Sequence, residues 1–183
     1  AYVIPNETDS TYYDLYIQSD GQLYANEDMS NWFSGFRVTD SIDGLHLLDT
    51  SSVVNMERMF TNTGIESKVL TLDVSNWNIQ NVTGMYAMFN ECDSLMALDL
   101  SKWDLSNVSS IGGMINNRNL HLLKTPINNA EVLNFSGTAF YKLEEGKVDK
   151  TNKYWNIPAG TTESLTLIRP ENHVWTECYY REL

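Results

Sequence analysis

The sequence predicts an α/β fold: a leucine-rich-repeat solenoid with one short strand and one short helix per turn, capped by an N-terminal β-hairpin and a C-terminal β-rich module. Three observations predict it. First, the stretch Leu72-Asp73-Val74-Ser75-Asn76-Trp77-Asn78-Ile79, followed by Asn81-Val82-Thr83, Met85, Met88 and Phe89, is written again. The second copy is Leu98-Asp99-Leu100-Ser101-Lys102-Trp103-Asp104-Leu105, followed by Asn107-Val108-Ser109, Ile111, Met114 and Ile115, each matched residue 26 positions on. Self-similarity at a period of about 20–29 residues marks stacked leucine-rich units that bury one another's faces. Second, the apolar spacing inside each copy switches from that of a strand to that of a helix. Third, the repeat fades at both ends into segments that read as short strands.

Residues 1–26 form the first unit. Thr11 to Ile17 and Gln22 to Ala25 are rich in aromatic and β-branched residues and flank Ser19-Asp20-Gly21, which is a hairpin signal. Residues 27–126 hold the repeats. Leu95, Leu98 and Leu100 have the L-x-x-L-x-L spacing of a repeat strand, with Val69, Leu70, Leu72 and Val74 as partners one turn earlier. Val82, Met85, Met88 and Phe89 then follow helical spacing, and Asn55, Thr83 or Ser109 stands before the helix as a candidate N-cap. Upstream, Met56, Met59 and Phe60 match Met85, Met88 and Phe89 at an offset of 29, and Met29 to Phe33 is a fainter copy of Met56 to Phe60 at 27. In this upstream copy Ile42-Asp43 stands in for Leu72-Asp73, and Leu48 falls near the Trp77 position. Downstream, Leu120 and Leu123 repeat Leu95 and Leu98, but Lys124 and Pro126 displace the Asp and Ser of the pattern. Residues 127–183 read as a β-rich cap or small module, with strands at Val132 to Phe135, Ala139 to Leu143, Ser164 to Arg169 and Val174 to Tyr180 and a Glu144-Glu145-Gly146 turn.

The string Leu-Asp-x-Ser-x-Trp-(Asp/Asn)-x-x-Asn-Val-(Thr/Ser), followed by Met-x-x-Met-Phe-x-x-Cys-x-x-Leu, resembles the repeat of BspA-type leucine-rich-repeat surface proteins of bacteria, also grouped as a Mycoplasma-lipoprotein-type domain of unknown function. Residues 42–123 carry the resemblance best. It implies an exported, cell-surface protein of the adhesin or interaction kind, with no catalytic site. The chain departs from the pattern at Leu48, at Gly112-Gly113, and in having its repeat Cys only at Cys92.

Composition narrows the function classes. A formal net charge of −12 over 183 residues disfavours nucleic acid and anionic membrane surfaces, which call for clustered Lys and Arg. No run approaches the 18 or so apolar residues of a membrane helix. The chain opens Ala1-Tyr2-Val3-Ile4 with neither an initiator Met nor a leader-type apolar core, which points to a removed leader or to a fragment of a longer protein.

Chemical motifs are scarce. His46, His121 and His173 lie far apart, and neither a metal-binding pair, a nucleophile elbow nor a phosphate loop is written. Cys92 and Cys178 make no disulfide framework, and Cys92 reads as a small buried hydrophobe. Asp73 and Asp99, with Asp43 as a possible third rung, suggest either a calcium column or turn hydrogen bonds with Ser75 and Ser101, of which the second is the simpler. Trp77 and Trp103, one period apart, read as core packing in preference to sugar stacking, as do Met56, Met59, Met85, Met88 and Met114. The Asn-x-Ser/Thr matches at Asn6, Asn81, Asn107 and Asn134 are weak. The expectation is therefore a monomeric, non-catalytic, extracellular adhesion or interaction module, with no catalytic, cofactor-binding or metal residues. It would bind proteins or glycans of a host or neighbouring cell through strand positions such as Thr71, Met96, Ala97 and His121, or through Tyr12, Tyr16, Tyr179 and Tyr180. The alternative is a structural spacer within a larger surface protein.

Overall fold

The computed structural model describes residues 2–7, 13–17, 20–39, 42–66, 72–137 and 139–169. The strands, in chain order, are β1 Tyr2–Pro5, β2 Tyr13–Tyr16, β3 Leu23–Tyr24, β4 Leu48–Asp49, β5 Ala97–Asp99, β6 Leu122–Lys124, β7 Leu133–Asn134, β8 Phe140–Glu144, β9 Lys147–Tyr154, β10 Asn156–Ile157 and β11 Thr166–Ile168. Among the described residues the one helical element is a single 3₁₀ turn, Leu45–Leu47. The sheets among the described residues are small: three are two-stranded and one has five strands. This overturns the α/β leucine-rich-repeat solenoid. Among the described residues no α-helix follows any strand, and Leu72, expected on a strand parallel to that of Leu98, lies outside every strand while Leu98 sits in β5. Val69, Leu70 and Thr71 lie outside the described residues.

The physical reason lies in where the backbone N–H groups go. In the segments expected to be helical, alternate residues donate to the next copy of the repeat and not to their own preceding turn. Met56, Arg58, Phe60 and Asn62 donate to the carbonyls of Gly84, Tyr86, Met88 and Asn90, and Met85, Ala87, Phe89 and Glu91 donate to those of Ser110, Gly112, Met114 and Asn116. Met29, Asn31, Phe33 and Gly35 do the same toward Asn55, Glu57, Met59 and Thr61. Between these bonds the chain closes tight turns, such as Met88 N–H to Met85 O and Asn90 N–H to Ala87 O. Asn31, Arg58, Ala87 and Gly113 all hold positive φ, from 53 to 65°, which no right-handed helix accommodates. The three-residue turns bring Met85 and Met88 to the same side, so the apolar pattern copies that of a helix without being one. The candidate N-caps are reassigned accordingly. Asn55 Oδ1 accepts the Glu57 N–H, while the Ser109 hydroxyl donates across the repeat to Thr83 O.

The result is four stacked layers, joined in register by the parallel bridges Asp28–Asn55–Gly84–Ser110. Their interior is one continuous core. Met29, Met56, Met85 and Ile111 form one buried column, and Met59, Met88 and Met114 form a second. Phe33, Phe60 and Phe89 stack in a third, with centroids 5.3 and 5.6 Å apart and planes within 7° and 4°. Offset aromatic pairs of this kind add about 0.5–1.5 kcal/mol beyond the area they bury.

At the N-terminal end the strand pairing differs from the expected hairpin. The pairing in the N-terminal region is not the one across Asp20-Gly21: β2 pairs antiparallel with β1, and β3 runs parallel to β4. At the other end β5 and β6 are parallel neighbours, and β11, β8 and β9 extend their sheet antiparallel. Arg169, 3% exposed, ties this sheet to the last layer. Its Nη1 donates to the carbonyls of Asn117, Arg118 and Leu120, its Nη2 donates to Ser136 O, and its guanidinium lies 4.1 Å over the Phe140 ring.

Candidate interaction surface

Most residues that the sequence singled out for chemistry hold the layers together. Trp77 and Trp103 are buried, and each indole N–H reaches back to the preceding copy, at Leu45 O (2.8 Å) and Val74 O (3.1 Å). Asp73 and Asp99 each accept a hydroxyl and a backbone N–H from the Ser two residues on. Asp99 also takes Lys124 Nζ at 2.8 Å. Burial works to raise the Asp99 pKa, but the hydrogen bonds from Lys124 and Ser101 outweigh it and hold the carboxyl below its usual range. Lys124, which broke the sequence pattern, thus supplies the counter-charge to the column. The neighbouring column is Asp49, Asn78 and Asp104, each accepting the N–H two residues on.

The repeat asparagines have a structural task too. The Asn81 and Asn107 side-chain amides donate to Ser51 O and Gln80 O of the previous copy. Cys92 is buried, its thiol donates to Phe60 O (2.8 Å), and burial pushes its pKa up to about 12, so it is not a reactive thiolate. Among the described residues no three His, Cys, Asp or Glu side chains gather closely enough to share a metal ion, and no helix is long and apolar enough to cross a membrane.

What faces outward is more informative. Of the strand positions expected to make contacts, Met96, Ala97 and His121 are half-buried. Tyr16 is 37% exposed. Tyr12, Thr71, His173, Cys178, Tyr179 and Tyr180 lie outside the described residues. The turn face instead presents a group that the sequence reading passed over. Tyr86 is 42% exposed and Arg58 stands over its ring at 5.2 Å. On the far side, a Cβ at Gly112 would meet the Tyr86 ring at 3.3 Å, so the glycine leaves the room the ring occupies. Val54, 41% exposed, stands on the same layer as Arg58. The signal was present in the sequence. Arg58 and Tyr86 are the residues between the two Met of Met-x-x-Met, on the side that the core does not use.

The family described as "Mycoplasma protein of unknown function, DUF285" matches residues 27–154 of the chain. No curated protein and no solved structure matches it.

Proposed function

We propose that this chain, which belongs to the family described as Mycoplasma protein of unknown function, DUF285, is a non-catalytic interaction module of a bacterial surface protein. The observation that carries the reading is the Arg58–Tyr86 group. Tyr and Arg are the residue types that dominate binding energy when a partner covers them, and here they stand on layers fixed by interlayer hydrogen bonds and a shared core, so little ordering is lost on binding. The resemblance to BspA-type surface repeats supports an extracellular location and a protein or glycan partner on a host or neighbouring cell.

The same rigidity supports a second reading, in which the layers are a spacer. One experiment separates the two: the folded chain is presented to arrays of matrix proteins and glycans beside a charge-matched acidic control. The interaction reading expects saturable binding that falls about tenfold or more in Tyr86→Ala and Arg58→Ala. A well-folded chain that binds nothing across the arrays would leave the spacer.

A further inference from the structure

On the turn face, successive layers place Asn31, Arg58, Ala87 and Gly113 at one phase of the repeat, all at positive φ between 53 and 65°. Ser30, Glu57, Tyr86 and Gly112 precede them in the sequence. Asn31, Arg58 and Gly113 are exposed, so the row offers an amide, then a guanidinium, then bare backbone. A Cβ at Gly113 would meet nothing within 4 Å, which leaves the floor beyond Tyr86 clear of side chains.

The guanidinium in this row is stacked but unpaired. Arg58 stands 5.2 Å over the Tyr86 ring. Its sequence neighbour Glu57 turns to Gly84 instead, with Cγ and Oε1 at 3.2 and 3.3 Å from where a Cβ would stand there. The ion pairs among the described residues are Arg37–Glu66, Lys124–Asp99 and Lys142–Glu144, so none of their carboxylates takes Arg58. A guanidinium held by its flat face keeps its N–H fork in plane, and that fork matches the two oxygens of a carboxylate.

We propose that Arg58 receives the carboxylate of an acidic sugar, a uronic acid or similar residue of a glycan, with the side chains of Tyr86 and Asn31 available to the sugar hydroxyls. This rests on the interaction reading above and names the ligand class for its Arg58–Tyr86 group. Charge favours a sugar over an acidic protein. The chain carries a formal net charge of −12, so a partner with many carboxylates meets further acidic groups wherever it lies down. A single sugar carboxylate meets one cation at contact, and charges beyond about 8 Å are screened at physiological salt. One exposed ion pair contributes little by itself, so affinity for a single sugar is weak and is read at high ligand concentration.

The probe is methyl β-glucuronide, titrated into the isotope-labelled full chain and followed by amide chemical shifts, beside the uncharged methyl β-glucoside. Saturable shifts centred on Arg58, Tyr86 and Gly113 are expected, with the glucoside about tenfold weaker or more. Arg58→Lys, which keeps the charge and loses the fork, should weaken glucuronide binding about fivefold or more. Glu57→Gln, which removes a carboxylate that does not pair with Arg58, should not weaken it. Equal binding of the two sugars, an Arg58→Lys variant that binds as the native chain does, or no shifts at these residues at tens of millimolar glucuronide would overturn the proposal. So would inorganic sulfate or a short glutamate peptide binding as tightly, which would make Arg58 a general anion contact. Array binding to a protein that is lost in Tyr86→Ala, without these shifts, would leave the interaction reading standing and this ligand class refuted.

Discussion

The repeat layers and the C-terminal sheet bury comparable apolar columns by different backbone means. In the sheet, β6, β11, β8 and β9 exchange bonds in antiparallel register, and the buried Leu123 and Leu167 face each other as cross-strand partners. In the layers parallel copies bond at alternate residues, with return bonds such as Thr83 N–H to Val54 O, and left-handed residues recur at fixed phase. The comparison teaches that the period of burial reports which side chains point inward and not the conformation that points them. Met85, Met88 and Phe89 are as buried as on any helix, yet their N–H groups serve tight turns and a neighbouring layer.

The largest expected effect probes the shared core. Phe60 stacks on both Phe33 and Phe89 and is fully buried, so Phe60→Ala should cost about 3–5 kcal/mol in urea unfolding. A loss confined to the layers, with the sheet's unfolding transition unchanged, would separate the two regions energetically. A single lowered transition would show that they unfold as one.

Arg169→Met tests their junction. It leaves the carbonyls of Asn117, Arg118, Leu120 and Ser136 without the guanidinium, and charged hydrogen bonds of this kind contribute about 1.5–3 kcal/mol each. Amide exchange should quicken over residues 139–169 while residues 84–91 stay protected. Uniform protection in the variant would mean that the junction does not depend on Arg169.

A smaller effect distinguishes the regions by pH. The folded-state pKa of Asp99 is lowered, so its contribution is present above the unfolded value of about 3.9 and is lost as pH falls through the lower folded value. Stability of the native chain should therefore drop below about pH 4 more steeply than that of Asp99→Asn. Parallel pH profiles would remove the Asp99–Lys124 pair from the account.

How much was legible follows from the same contrast. The register of the repeats, the burial of Trp77 and Trp103 and the turn bonding of Asp73 and Asp99 are all in the sequence, because they depend on spacing and side-chain chemistry. Parts of β7, β8 and β11 are legible as apolar runs bounded by turns. β9 is not: Lys147 to Tyr154 lacks apolar alternation because it forms the sheet's outer strand, where lysines keep an edge from pairing further. The helices were misread because Arg58 and Ala87, ordinary helix formers, sit at positive φ, and tertiary hydrogen bonding overrides such propensities. Arg58 and Tyr86 were passed over as a surface because they are the variable residues between fixed core positions.

The central claim, that these segments are left-handed turn ribbons and not helices, is tested most directly at Gly113. It holds φ +65°, is exposed, and a Cβ there would meet nothing within 4 Å, so Gly113→Ala changes the backbone preference and nothing else in the fold. At a positive φ the substitution should destabilise by about 1 kcal/mol in urea unfolding. In a helix interior it would stabilise by about the same amount, and a gain in stability of that size would contradict the account.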